Sequence, residues 1–208
     1  MLQSQTVEPG TLGLLKELMA LDELKQFVLV GGTNLSLRLG HRLSIDLDLF
    51  TNQSFDSEYI RDRLTERYSE IIVTGQGGKS LFLFINRIKI DIVCALFDNI
   101  QPADEIEGIR LASIPDIIAM KFNAIARRGV KKDFWDVVEL LNHYSLSQMV
   151  KFFKAKYPNH DIFHVVRSLV YFEDAEAQKD PDPLKEVTWE QVKIRMREEV
   201  NSYIASMT

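Results

Sequence analysis

Cysteine is almost absent from this sequence, since Cys94 is the single one among 208 residues. One cysteine cannot form an internal disulfide, and there is no C-x-x-C pair that could build a zinc ribbon. Apolar runs are short as well: none approaches the ~18 residues of a membrane-spanning helix, and no basic segment leads into an apolar one at Met1. These absences predict a cytoplasmic protein without a membrane segment or a structural zinc site.

An excess of positive charge is also missing. The formal net charge of −5 argues against a generally basic coat for nucleic acid, although it says nothing about a local basic patch. Six prolines and ten glycines leave no room for a long low-complexity linker. With 46% hydrophobic and 26% charged residues, the chain is expected to fold as one domain, or two small ones, around a substantial core.

The pattern of apolar residues divides the chain into two halves. Up to residue 112, helical spacing and period-two alternation take turns, which is typical of a mixed sheet with flanking helices. After it the spacing is helical, up to a last helix that the capping box at Thr188 opens. We predict an α+β fold, with an α/β domain over residues 1–112 and a C-terminal helical bundle over residues 113–208 that completes a shared cleft.

Local signals predict individual elements. Thr11 is expected to cap the first helix, residues 33–39 to form a short helix, and residues 161–175 another. Asn86-Arg87 is typical of a tight turn. An acidic loop is expected around Asp98, Asp104, Glu105 and Glu107. The predicted strands cover residues 27–30, 45–49, 70–74, 80–85 and 88–94.

Carboxylates recur in the predicted sheet. Asp46 and Asp48 are two residues apart in an alternating strand, so both side chains should point to one face, about 7 Å apart along the backbone. Asp91 lies in the middle of a later strand. Carboxylates suit Mg²⁺, and three of them could hold two ions about 3.5–4 Å apart for an in-line phosphoryl displacement. Without a cation, their mutual repulsion should raise the pKa of at least one carboxyl group.

A glycine pair separates the first strand from the short helix. Gly31 and Gly32 would let the backbone approach a triphosphate, and the helix N-terminus offers it free N–H groups. Thr33 would add a hydroxyl, and Arg42, in the turn before the aspartates, is a weaker candidate for phosphate contact. The order of these residues predicts a phosphate-binding turn beside the carboxylates.

These motifs together resemble a known family. Residues 30–50 (VGGTNLSLRLGHRLSIDLDLF), the strand around Asp91 and residues 117–136 are similar to the signature of the AbiEii/AbiGii toxin nucleotidyltransferases, in the polymerase-β-like superfamily. The resemblance covers roughly residues 25–145. Many superfamily members have Gly-Ser where this chain has Gly-Thr, which keeps the hydroxyl. The resemblance implies a nucleotidyltransferase catalytic domain with a mixed sheet, followed by a helical domain.

The resemblance also implies an activity. A nucleoside monophosphate would pass from an NTP to an acceptor, with release of pyrophosphate and a requirement for two Mg²⁺ ions or for Mn²⁺ in their place. Asp46, Asp48 and Asp91 would be the metal ligands and, with Lys121, the catalytic residues. Nucleotide and phosphate binding would fall to Gly31, Gly32, Thr33, Arg42, Arg128, Lys132 and Asp133.

The favoured acceptor, again by resemblance, is RNA, above all the 3′ end of tRNA, in a type IV toxin–antitoxin or abortive-infection system with an antitoxin protein as partner. Between Lys121 and Asp136, five basic and two acidic residues give a local charge of +3, which suits a polyanion. Two alternatives stay open: a non-catalytic RNA- or protein-binding member of the fold, and a metal-dependent nuclease. The nuclease leaves the glycine turn and Lys121 without a role.

Overall fold

A seven-stranded mixed sheet dominates the first half of the chain in the computed structural model, which describes residues 1–207. The strand order is β3-β4-β5-β2-β1-β7-β6, with parallel pairing of β2 with β5 and of β1 with β7, and antiparallel pairing of the other neighbours. This sheet and the helices after it confirm the predicted α+β class. The strands are β1 (Val28–Leu29), β2 (Leu47–Thr51), β3 (Ile71–Gly77), β4 (Ser80–Ile85), β5 (Ile88–Cys94), β6 (Asp104–Ile106) and β7 (Ile109–Leu111).

Helices accompany the sheet and then make up the rest of the chain. Short 3₁₀ turns occur at Ser4–Thr6 and Asp22–Leu24. Among residues 1–207, no helix combines the length and the apolar character that crossing a bilayer requires. The helices are α1 (Pro9–Ala20), α2 (Gly31–Leu39), α3 (Ser57–Arg67), α4 (Ile114–Arg128), α5 (Lys131–Leu140), α6 (Leu146–Lys156), α7 (Ile162–Ser168), α8 (Glu173–Glu176) and α9 (Trp189–Ala205).

Two local predictions are confirmed. Asn86 and Arg87 have φ values of 50° and 66°, the left-handed pair that a two-residue hairpin turn requires. The hydroxyl of Thr188 accepts a hydrogen bond from the backbone amide of Gln191, and the side-chain oxygen of Gln191 accepts one from the backbone amide of Thr188. The capping box that opens α9 is therefore present.

Other local predictions are wrong. Thr11 does not cap α1: the helix begins at Pro9, whose fixed φ and missing N–H suit the first turn, and Thr11 is buried inside it. The acidic loop contains the hairpin of β6 and β7, because Ile109 and Leu111 form a buried strand beside β1. The helix predicted over residues 161–175 is two helices, α7 and α8.

The register of the central strands positions the site. Parallel pairing of β2 with β5 places Asp48 directly opposite Asp91. The alternating residues of these strands, Leu47, Leu49, Ile90 and Ile92, are buried in the core on the other face of the sheet. Because neighbours along a strand point to opposite faces, the two carboxylates lie on the face away from that core.

The apolar core has two clusters. One lies between the sheet, α1 and α3, and the other among the C-terminal helices. Helix α2 connects them, since it contributes Leu37 to the first cluster and Leu35 to the second. The element that begins at the glycine pair is therefore anchored from both sides.

Candidate active site

A cleft of about 630 Å³ lies between the sheet and α4, within the range of about 300–1,000 Å³ that small-molecule sites occupy. Several predicted site residues do not line it, namely Gly32, Thr33, Arg42, Asp46 and Lys132. The predicted residues that do are Gly31, Asp48 and Asp91 on the sheet side and Lys121, Arg128 and Asp133 on the helical side.

The start of α2 is packed tightly against charged side chains. Gly31 has a φ of +72°, and a Cβ there would lie 2.2 Å from Oδ2 of Asp48. A Cβ at Gly32 would lie 2.1 Å from Nη2 of Arg42. The glycines therefore make room first for the chain's own carboxylate and guanidinium groups. The N-terminus of α2, with its free amide groups and positive dipole end, adjoins Asp48 in the cleft.

Asp48 and Asp91 form a carboxylate pair that lacks full compensation. Burial and then the Asp91 carboxylate raise the pKa of Asp48, as the clustering predicts. Asp91 accepts a hydrogen bond from Lys89 Nζ at 2.6 Å through Oδ2, whereas its Oδ1 is buried without a hydrogen-bond partner among residues 1–207. An unpaired buried carboxylate oxygen beside a second carboxylate fits a bound cation.

Asp46 precedes β2, and its Oδ2 lies 3.2 Å from Nζ of Lys132. Its charge contributes to the raised pKa of Asp48. In the described part of the chain, no three His, Cys, Asp or Glu side chains are grouped to hold a metal ion. The donor set thus fits a cation at Asp48 and Asp91, and Asp46 would have to exchange Lys132 for the ion to join them.

Thr33 supports this segment from behind. Its side chain is 1% exposed, its hydroxyl donates to the backbone carbonyl of Asp46, and its Oγ1 lies 2.9 Å from Oγ of Ser44. The hydroxyl that the sequence predicts to contact phosphate is therefore engaged in fixing the entry to β2.

On the helical side of the cleft, Lys121 lies between two buried carboxylates. Its Nζ is 2.7 Å from Oδ1 of Asp133 and 2.5 Å from Oδ2 of Asp136, and both aspartates are fully buried. Burial alone would lower the pKa of Lys121, but Asp133 and Asp136 outweigh it and raise the pKa. Lys121 therefore keeps its positive charge at the wall of the cleft.

Asp136 is the centre of this charge cluster. Arg42 donates to it through Nε at 2.7 Å and Nη2 at 2.9 Å, and His41 Nε2 lies 2.7 Å away. Burial would raise the pKa of Asp136, but Arg42 and Lys121 hold it well below its usual range. Arg42, predicted to contact phosphate, is thus committed to a buried bidentate ion pair.

Two further polar residues, Asn34 and Asp116, tie together the elements around the cleft. Asn34 donates through Nδ2 to the carbonyls of Leu29 at 2.8 Å and Ala112 at 3.0 Å, which ties α2 to the end of the sheet. Asp116 accepts a hydrogen bond from Lys156 Nζ at 2.7 Å through its Oδ1. The contacts to Ala112 and Lys156 join positions that are far apart in the chain, and no local pattern predicts such pairs.

The fold is similar to those of two solved structures, one of which is a nucleotidyltransferase toxin. MenT4, a nucleotidyltransferase toxin from Mycobacterium tuberculosis H37Rv, superposes with a TM-score of 0.60 at 18% identity, over 90% of this chain and 82% of that one. JHP933 from Helicobacter pylori superposes with a TM-score of 0.52 at 18% identity, over 100% of this chain and 98% of that one.

Sequence comparison identifies the family. The profile described as "Nucleotidyl transferase AbiEii toxin, Type IV TA system" matches residues 13–205. An uncharacterized protein of Aquifex aeolicus (strain VF5), aq_aa25, is 36% identical over 199 residues, which is 91% of this chain and 94% of the relative. The chain belongs to the AbiEii family of nucleotidyltransferase toxins, as the motifs indicated, and is a nucleotidyltransferase.

Proposed function

We propose that this protein transfers a nucleoside monophosphate from an NTP to an RNA acceptor, the 3′ end of tRNA foremost, in a reaction that requires Mg²⁺. The observation that carries the proposal is the cleft in which Gly31, Asp48 and Asp91 face Lys121. Phosphoryl transfer depends on positioning and on electrostatic stabilisation. The cleft offers a helix N-terminus that favours anions, a pair of carboxylates and the buried positive charge of Lys121 for this purpose.

The triphosphate would lie across the cleft from α2 to α4. The N-terminus of α2 at Gly31 favours negative charge, and Lys121 offers a fixed positive charge on the opposite wall. Arg128, whose side chain is 58% exposed, reaches the same cleft and would contact the outer phosphates. Lys132 would join them once it leaves Asp46. Asp133 would act through Lys121 and Arg128, which it holds in place.

The carboxylates would serve the attacking group. Asp48 and Asp91, joined by Asp46, would hold two Mg²⁺ ions, with Mn²⁺ as a substitute; when bound, the metal supplies charge neutralisation for the phosphates and acidifies the acceptor hydroxyl. Asp91 would complete the metal site and favour deprotonation of that hydroxyl, whose proton passes to water. The hydroxyl oxygen bonds to the α-phosphorus, the bond from that phosphorus to the bridging oxygen breaks, and pyrophosphate leaves.

The family also implies the setting. As the toxin of a type IV toxin–antitoxin system, the protein is expected to act in the cytoplasm, where NTPs and tRNA occur, and to have an antitoxin protein as its partner.

Incubation with Mg²⁺, each labelled NTP and a bulk tRNA pool tests the activity. Wild type should label RNA, and Asp48→Asn should lose about 100-fold or more of the rate, the scale on which loss of one preorganised electrostatic contact slows an enzyme. Asp62→Asn is the matched control, because Asp62 is an exposed aspartate on α3. Equal labelling by Asp48→Asn would contradict the proposed site. Label on protein alone would exclude the RNA acceptor, and shortened RNA without label would indicate a nuclease.

A further inference from the structure

The face of the sheet that carries Asp48 and Asp91 continues beyond them as an exposed aromatic surface. Phe82 of β4 lies directly opposite Asp91, and Gly75 of β3 lies opposite Phe82. Asp48, Asp91, Phe82 and Gly75 therefore form one row across four neighbouring strands. Since adjacent strands are about 4.8 Å apart, this row extends about 10 Å from Asp91 to the edge of the sheet.

Phe82, Phe84 and Ile72 form what we term the aromatic platform. Phe84 is the partner of Ile72 in the next row of the same face. Phe82 is 36% exposed and Ile72 65% exposed, whereas Leu81 and Leu83, on the other face of β4, are fully buried. The side chains of the platform thus face outward. A bound molecule that covered them would be stabilised, because it would remove this apolar surface from water.

Gly75 allows the Phe82 ring to lie over the edge strand. A Cβ at Gly75 would lie 3.1 Å from Cδ2 of Phe82, closer than ordinary van der Waals contact. The ladder has a bulge between Val73 and Gly75 at this point. A glycine in a strand interior is typical of a place where another group approaches closely, and here that group is the Phe82 ring.

A positive charge adjoins the platform on the side of the carboxylates. Lys89 lies opposite Phe84, and its Nζ is 2.6 Å from Oδ2 of Asp91. Its side chain is 44% exposed. An exposed aromatic ring beside a cation is the combination that binds single-stranded nucleic acid, because every base has a face that can stack and every nucleotide carries a phosphate.

The position of the platform favours the acceptor as its occupant. The proposed triphosphate fills the cleft between Asp48 and Lys121, so an attacking hydroxyl has to approach Asp91 from its other side. The neighbour of Asp91 on that side is Phe82, about 5 Å away between Cα atoms of paired residues. The pairing of Phe82 with Asp91 places the end of a bound RNA next to the reacting groups, whereas a protein partner would not need this alignment.

We propose that the aromatic platform binds the single-stranded 3′ end of the RNA acceptor. A terminal base stacks on Phe82, Lys89 contacts the backbone phosphate, and the 3′ hydroxyl reaches Asp91. The proposal rests on the proposed function for the identity of the acceptor, and adds where on the protein the acceptor lies.

Binding of a fluorescein-labelled single-stranded RNA with a free 3′ hydroxyl, followed by fluorescence anisotropy without NTP, tests the platform. Phe82→Ala and Phe82→Leu should each weaken binding about tenfold, and Phe82→Trp should restore it, because a base stacks on an aromatic face. Phe163→Ala is the matched control, since Phe163 is 72% exposed on α7. Thermal melting should show that the exposed positions tolerate these changes.

Three results would overturn the platform: no binding of RNA by wild type, unchanged binding by Phe82→Ala, or full binding by Phe82→Leu, which would show that the contact does not depend on an aromatic face. In the transfer assay, Phe82→Ala should raise the KM for RNA about tenfold and leave the KM for NTP unchanged. If wild type transfers no nucleotide but Phe82→Ala loses RNA binding, the proposed function fails and the platform stands. If wild type transfers nucleotide to RNA and Phe82→Ala keeps the same KM for RNA, the proposed function stands and the platform fails.

Discussion

At the scale of single residues, Asp136 organises the helical wall of the cleft. It compensates Lys121 and Arg42 at once, although it does not line the cleft itself. Buried charges are costly unless they are paired, and removal of the Asp136 charge takes the carboxylate partner from Arg42 and leaves Lys121 with Asp133 alone. Asp136 is therefore a positioning residue whose loss should act on both stability and activity.

Asp136→Asn should lower the free energy of unfolding at neutral pH by about 3–5 kcal/mol, as for other broken buried ion pairs. The folded-state pKa of Asp136 lies below its unfolded value of about 3.9, so its stabilisation is complete above that pH and is lost as the pH falls through the folded-state pKa. The difference from wild type should therefore shrink in acid. Urea unfolding between neutral and acid pH measures it.

The matched control for that experiment is again the exposed Asp62→Asn, which should change the unfolding free energy by less than about 0.5 kcal/mol at every pH. A difference between wild type and Asp136→Asn that stays constant into acid would show that the carboxylate charge is not the cause.

At the scale of elements, the start of α2 couples backbone conformation to the site. Gly31 adopts a left-handed φ and adjoins Asp48, while Gly40 ends the same helix with a φ of +67°. The sequence predicts a short helix over residues 33–39, between the glycine pair and Gly40. In the structure Gly31 and Gly32 form the first turn, so the helix begins at Gly31. The helix N-terminus is thus brought directly to the carboxylate pair.

Gly31→Ala should destabilise the protein by about 1–3 kcal/mol from backbone strain alone, and should displace the Asp48 carboxylate. Nucleotidyl transfer is expected to fall with it. Gly13→Ala, in α1, is the control, since a Cβ there meets nothing within 4 Å and the change should stabilise by about 0.4–1 kcal/mol. Thermal unfolding and the transfer assay measure both. A Gly31→Ala variant with wild-type activity would contradict the assigned role of the turn.

At the scale of the whole molecule, the carboxylate pair lowers stability in the absence of a cation. The folded-state pKa of Asp48 is raised, so its ionised form disfavours the folded state at neutral pH. Sites that are strained or electrostatically unfavourable are a common cost of activity. The net charge of −5 applies to the metal-free chain, and two Mg²⁺ ions would add +4 at the site.

In EDTA, the free energy of unfolding of Asp48→Asn should therefore exceed that of wild type by roughly 0.5–1 kcal/mol. The variant should accordingly melt at a higher temperature. Addition of Mg²⁺ should reverse the order, because a ligand at 100 times its Kd stabilises by about 2.7 kcal/mol and Asp48→Asn lacks a ligand group. Differential scanning calorimetry with and without EDTA checks this. Identical responses of the two proteins to Mg²⁺ would remove Asp48 from the metal site.

The sequence by itself determined the mixed sheet followed by helices, the order of the motifs and the residue types of the site. These follow from local rules. The period of a strand places Leu47 and Asp48 on opposite faces of the sheet, and the capping box at the start of α9 depends only on residues next to each other in the chain. The short hairpin of β6 and β7 escaped such rules because three-residue strands carry too little periodicity to recognise.

Only the tertiary structure decided which groups meet. It paired Arg42 with Asp136 across 94 positions, placed Lys121 between two carboxylates, and set Phe82 beside Asp91. Strand register and helix packing fix such pairs, and they depend on how the whole core is buried, which no local pattern encodes. The residue types in the sequence therefore indicated a phosphate-binding site, and only the folded structure determined which side chain each of them contacts.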